Sequence, residues 1–205
     1  MKLNNLEFLL MNNPIRAFVQ EIHEVRILRA MSSIGNIERA LEIGCGNGNG
    51  TKLIKKYFAP KFIDAVDLDD KMIAIAQKRN NDISINYQVM DVSLLNFPDK
   101  TFDVIFDFGI IHHVPNWKNC ISEIKRVLKP DGEVIIEDLS TDTFSTFPGR
   151  IWKILLDHPY DKMFSTEQFV DCLKSEGFKI VDFQVFYPLL LFKHFSIVAR
   201  NGNIL

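Results

Sequence analysis

Cysteine is scarce: Cys45, Cys120 and Cys172 are the only three, they lie far apart, and no C-x-x-C pair occurs. A zinc knuckle or dithiol redox centre therefore has no ligand set, and an odd, sparse set excludes a disulfide-built secreted fold. Long apolar runs are missing too. The most apolar stretch, Tyr187 to Phe192, falls far short of the roughly 20 residues that span a bilayer. The N-terminal MKLNNLEFLLMNN lacks the apolar core and small-residue cleavage site of a signal peptide. Neither sign of charge dominates, with 24 Lys and Arg against 26 Asp and Glu, so no global attraction for nucleic acid or anionic membrane exists. No repeat, low-complexity tract or Pro/Gly-rich linker interrupts the chain. These absences lead to the expectation of a cytoplasmic protein with no nucleic-acid partner and no integral membrane segment.

What is present suits a globular domain. The chain has 205 residues, of which 47% are hydrophobic, enough to bury a full core and too many for disorder. Seventeen Phe stand against four Tyr and two Trp, an excess that hints at apolar surface beyond the core.

Periodicity then orders the chain. After Pro14, a residue suited to a first helical turn, Ile15, Phe18, Val19, Ile22, Val25 and Leu28 recur at helical spacing and predict one apolar face. From Ala40 short apolar runs alternate with amphipathic helices. Strands are predicted at 40–43, 62–68, 83–90 and 102–108, with helices from Thr51 to Tyr57, from Asp70 to Arg79 and after an Asn116 cap. The tetrad KPDG (129–132) reads as a turn before the strand EVIIEDL at 133–139. Ser165-x-x-Gln168 forms a capping box for a helix ended by Gly177. The runs 178–186 and 194–200 predict a C-terminal antiparallel hairpin at the sheet edge. Strand–helix alternation with near-continuous Ile, Val and Phe indicates parallel βαβ units covered on both faces. The expected fold is α/β: a doubly wound, mostly parallel sheet with the hairpin appended.

The strongest chemical signal joins the first strand to the first helix of this repeat: Glu42-Ile-Gly44-Cys45-Gly46-Asn-Gly48-Asn-Gly50-Thr51. Glycines at such a turn let the backbone approach a ligand, and doubly wound sheets bind ligands at the carboxyl ends of their strands. The dinucleotide fingerprint G-x-G-x-x-G fails in every register, meeting Asn49, Thr51 or Leu53 where the last Gly is needed. A nicotinamide-dependent oxidoreductase is disfavoured accordingly.

What stands instead, E-x-G-x-G-x-G, resembles the first motif of the class I S-adenosylmethionine-dependent methyltransferases, in their small-molecule, type 11-like branch. The similarity continues in order through VDLDDKMI (66–73), VMD (89–91), FDVIFDFGIIHHVPNW (102–117) and IKRVLKPDGEVIIED (124–138). The resemblance implies a seven-stranded Rossmann-like sheet and S-adenosylmethionine as cofactor. It also implies roles. The backbone of Gly44, Cys45, Gly46 and Gly48 would host the methionine moiety, with Glu42 supporting that loop. Asp67 would accept hydrogen bonds from both ribose hydroxyls, with Leu68 beside it. Asp91 would accept from the adenine amine while the Val92 amide donates to the ring, and Phe108 and Gly109 would flank the methionine amino group. A non-catalytic module retaining only the cofactor pocket is the alternative.

Methyl transfer is an in-line displacement in which alignment supplies most of the catalysis, and a base is needed only for a protonated acceptor. His112 and His113 stand where such a base would act, with His158 and Tyr160 as weaker candidates. Glu137 and Asp138 offer two carboxylates to a metal, but no third ligand is evident in the sequence and none is expected. The predicted organisation is an N-terminal helical cap over 1–33 and a methyltransferase domain over 34–205. Within that domain a lid insertion is placed at about 140–164. Leu6, Phe8, Leu9, Phe144, Phe147, Ile151, Trp152, Ile154, Leu155 and Phe164 would give the cap and lid an apolar inner surface. The expected acceptor is a small apolar or aromatic molecule, and the expected state a monomer or homodimer.

Overall fold

The structure, a computed structural model, describes residues 13–145, 149–150, 153, 159–187 and 193–202, without the side chains of Pro14, Ile15 and His23. Seven strands form one sheet: β1 (Arg39–Ile43), β2 (Phe62–Asp67), β3 (Ile85–Val89), β4 (Phe102–Phe108), β5 (Leu128–Asp138), β6 (Phe178–Phe186) and β7 (His194–Asn201). Their spatial order is β3-β2-β1-β4-β5-β7-β6. The first five run parallel, and β7 pairs antiparallel with both β5 and β6. The chain winds outward from β1 in one direction and from β4 in the other, so a crevice opens at the carboxyl ends of β1 and β4. The predicted hairpin is there, with its second strand inside the sheet and its first at the edge.

Alternation of side chains along the strands builds two cores. On one face Ala40, Val104, Phe106 and Ile135 meet α2 (Val25–Met31), α3 (Asn49–Tyr57) and α4 (Asp70–Arg79). On the other Leu41, Ile105, Val134 and Ile136 meet α5 (Trp117–Val127) and α7 (Thr166–Ser175). The central strands are buried along most of their length, which is why they read as continuous apolar runs.

The N-terminal helical stretch departs from its predicted single face. α1 (Pro14–Val19) joins α2 through a π-helical turn, Gln20–Glu24. That turn shifts the phase of the periodicity. Val25 and Leu28 are fully buried while Phe18 is 61% exposed.

Three further local expectations are corrected. Asn116 precedes α5 but its side chain makes no capping hydrogen bond. KPDG does not precede a strand but lies within β5. Phe102 pairs with Leu128 and Val104 with Glu133, so residues 129–132 bulge opposite Asp103. The bulge is held by Lys129 on Asp103 (2.7 Å) and by the Asn201 amide donating to the Leu128 and Lys129 carbonyls. Phe164, assigned to the lid, is fully buried in the core against Trp117, Phe169 and Phe195, with ring centroids 4.6–6.2 Å away. Phe144, on α6 (Thr141–Ser145), is buried against Tyr160. Much of the Phe excess therefore fills the interior. Of the remaining cap and lid residues, Leu6, Phe8, Leu9, Phe147, Ile151, Trp152, Ile154 and Leu155 lie outside the described residues. The capping box is present as predicted, Ser165 accepting from the Gln168 amide and Gln168 accepting from that of Ser165.

Candidate active site

The glycine loop leaves β1 at Ile43 and enters α3 at Asn49. Gly44, Gly46 and Gly48 all have positive φ (68°, 51° and 81°). At Gly44 a Cβ would lie 2.4 Å from that of Ile110, so only glycine lets the loop pass under the β4 turn. Gly48 is the helix N-cap in the left-handed region. Its carbonyl accepts from Asn80, whose amide also reaches Tyr87. Cys45 is a buried spacer whose amide bonds the Val66 carbonyl, and burial pushes its thiol well above the ordinary range.

Two carboxylates underlie this loop. Glu42, 1% exposed, accepts from the Thr51 hydroxyl at 2.5 Å and sits directly beneath Gly50, where any Cβ would collide with it. Burial raises its carboxyl to about 8. Asp67, at the end of β2, accepts from the Gly46 amide through one oxygen (2.8 Å) and from the Asp69 amide through the other (2.9 Å). Each oxygen retains a further lone pair, so the carboxylate is oriented and can still receive a diol. Asp69, not Asp67, caps α4.

An open cleft lies over the loop. Glu42, the Gly44–Gly46 backbone and Phe108 line it, as the sequence predicts. Arg16, Ala17 and Gln20 line it as well, and sequence reasoning missed them. Gln20 anchors there by accepting from the Asn49 amide at 2.6 Å. Farther along the strand ends Leu68 is 41% exposed and Val92 buried, while exposed Asp91 accepts from the amide and hydroxyl of Ser93. Of the predicted site residues, Glu42, Gly44, Cys45, Gly46 and Phe108 line the cleft, while Asp67, Leu68, Asp91 and Val92 follow along the strand ends outside its lining.

Beyond β4, Gly109 (φ 89°) turns the chain into a short 3-10 turn, Ile111–His113. The His112 amide donates to Asp138 at 3.1 Å, and its Nδ1 is hydrogen-bonded to the same carboxyl group. The His113 ring lies 4.1 Å from that of His112, and both are buried. Asp107 accepts from the Ile110 amide at 2.9 Å. Burial raises both Asp107 and Asp138, the charge of Asp138 adding to the first and that of Glu137 to the second. Glu137 faces away from Asp138, toward α1 and α2. Tyr160 packs on Phe144, and His158 lies outside the described residues.

Residues 41–136 match the family model described as a methyltransferase domain. A fatty-acid O-methyltransferase of Mycolicibacterium smegmatis is 28% identical over 118 residues, 57% of this chain and 43% of that protein. A phthiotriol/phenolphthiotriol dimycocerosates methyltransferase of Mycobacterium ulcerans is 30% identical over 102 residues, 50% of this chain and 38% of that one. The chain thus matches less than half the length of these curated relatives. A crystal structure of an S-adenosylmethionine-dependent methyltransferase from Aquifex aeolicus superposes with a TM-score of 0.73 at 18% identity, covering 97% of this chain and 99% of the other. Among the described residues no helix is long and apolar enough to cross a membrane. Motif order, sheet topology and these likenesses agree: residues 41–136 match a methyltransferase domain, on a fold shared with S-adenosylmethionine-dependent methyltransferases.

Proposed function

We propose that the protein transfers a methyl group to a small apolar or lipid-like acceptor. The observation that carries this reading is the oriented Asp67 carboxylate beside a positive-φ glycine cradle under an open cleft. S-adenosylmethionine supplies the activated methyl on its sulfonium. In this reading the Gly44–Gly48 backbone and Phe108 with Gly109 hold the methionine end, Glu42 keeps the loop in shape, and Arg16, held by Glu24, lines the cleft beside them. Asp67 with Leu68 holds the ribose, and Asp91 with Val92 the purine. His112, its Nδ1 held by Asp138, presents Nε2 as the proton acceptor, with His113 stacked beside it. Residues 1–33 act as a cap and 140–164 as a lid that keeps water from the transfer.

The acceptor class rests on the apolar residues of the cap and lid and on relatives named for a fatty acid and for phthiotriol lipids. The test is turnover of labelled S-adenosylmethionine with medium-chain fatty acids, hydroxylated lipids and simple phenols, read as a gain of about 14 Da, one methylene. The expected result is product with at least one lipid-like acceptor and a shift of the thermal midpoint with the cofactor alone. Cofactor binding without turnover on any acceptor or cell extract establishes the non-catalytic module instead.

A further inference from the structure

We infer that Glu24, Glu137 and His194 form a binding site for one divalent transition-metal ion that ties the N-terminal helices to the sheet. One ligand atom from each lies within 4.8 Å of the others, a spacing compatible with one ion about 2.0–2.3 Å from each once the His194–Glu137 hydrogen bond opens. The three come from different elements. Glu24 ends the π-helical turn, Glu137 is at the carboxyl end of β5, and His194 opens β7. Glu24 and Glu137 are 1% and 0% exposed, so two carboxyls are sealed together between the Arg16 guanidinium and the His194 ring. His194 bonds one Glu137 oxygen through Nδ1, while the other, Oε2, is buried without a hydrogen-bond partner among the described residues. A buried carboxylate oxygen left in that state is costly, and an ion would satisfy it.

The surrounding chemistry selects the ion. One imidazole nitrogen with two carboxylates suits Mn²⁺, Fe²⁺ or Zn²⁺, whereas Mg²⁺ and Ca²⁺ take oxygen sets. Arg16, with its guanidinium 2.7 and 2.9 Å from the two Glu24 oxygens, becomes the outer partner that orients a ligating carboxylate. On binding, the ion displaces any protons held by His194 and Glu24. The expectation of no metal considered Glu137 with Asp138, but those neighbours point to opposite faces of the sheet. The missing ligands were more than fifty residues away on either side.

The experiment uses the full chain, stripped with chelator and titrated with Mn²⁺ followed by electron paramagnetic resonance, and with Zn²⁺ by calorimetry. One equivalent is expected to bind, with a nitrogen coupling from His194 in the pulsed Mn²⁺ spectrum. The thermal midpoint should rise by roughly 5–10 °C at a hundredfold excess over Kd. H194A should abolish the nitrogen coupling and weaken binding at least tenfold, E137Q likewise weakening it, while the surface variant E176Q leaves both unchanged. Saturable binding absent up to millimolar metal, or a nitrogen coupling that survives in H194A, overturns the inference. S-adenosylmethionine titrated into the same sample separates this failure from failure of the methyltransferase reading.

Discussion

Asp67 and Glu42 stand one strand apart and share a chemistry, but the protein uses them oppositely. Asp67 is oriented by two amides and only half-buried at the end of β2, so its removal should act on ligand binding. Asp67→Ala is expected to weaken cofactor affinity by about 2 kcal/mol, the value of a charged acceptor to two hydroxyls, and calorimetry that finds no change moves the ribose site elsewhere. Glu42 is sealed beneath Gly50, so its ionisation should act on stability. Its carboxyl titrates near 4.5 when exposed and at about 8 in the fold. The folded chain thus keeps a proton that the unfolded chain has released between those values. That contribution is complete below about pH 4.5 and is lost as pH rises through about 8. Urea unfolding should show the wild type losing on the order of 4 kcal/mol between pH 5 and 9 from this group, and Glu42→Gln should lose distinctly less. Parallel profiles for the two proteins would refute the assignment.

At the scale of elements, what the sequence discloses depends on where each residue's partners lie. β1, β4 and α4 are found within a residue of their predicted ends because burial on both faces and local caps write themselves into short windows. The glycine loop is equally local, since Glu42, Gly44 and Gly48 meet within nine residues. Arg16 and Gln20 escape notice because they reach the cleft from more than twenty residues upstream, before and at the start of a π-helical turn that breaks the periodicity. KPDG is a turn in sequence and a bulge in space because Asp103 and Asn201 supply its bonds. Phe164 is the clearest reversal: its neighbours Trp117, Phe169 and Phe195 belong to α5, α7 and β7, none adjacent to it in the lid reading. Phe164→Ala should therefore cost roughly 3–5 kcal/mol of stability, as a large side chain lost from a packed interior does, with cofactor affinity in the folded fraction unchanged. A variant of wild-type stability would return Phe164 to the lid.

For the molecule as a whole the open question is whether the N-terminal helices are an accessory or part of the fold. The matched methyltransferase segment begins at residue 41, yet contacts before it are not peripheral. Val25 and Leu28 are fully buried in the core formed with α3, β1 and β4. Ser32 donates to buried Glu133 at 2.6 Å, and Lys56 of α3 pairs with Glu21. Taking away residues 1–33 would uncover the parts of α3, β5 and β7 that α2 packs against and leave Glu133 with Arg200 as its partner. Burial of Val25, Leu28 and Met31 alone accounts for roughly 5–8 kcal/mol at the usual value per side chain, comparable to the whole stability of a domain. A chain starting at residue 34 is expected to lose its cooperative thermal transition and to bind no S-adenosylmethionine. If instead it melts cooperatively and binds the cofactor with wild-type affinity, residues 1–33 are a detachable cap, and Arg16 and Gln20 contribute nothing to the cofactor end of the cleft.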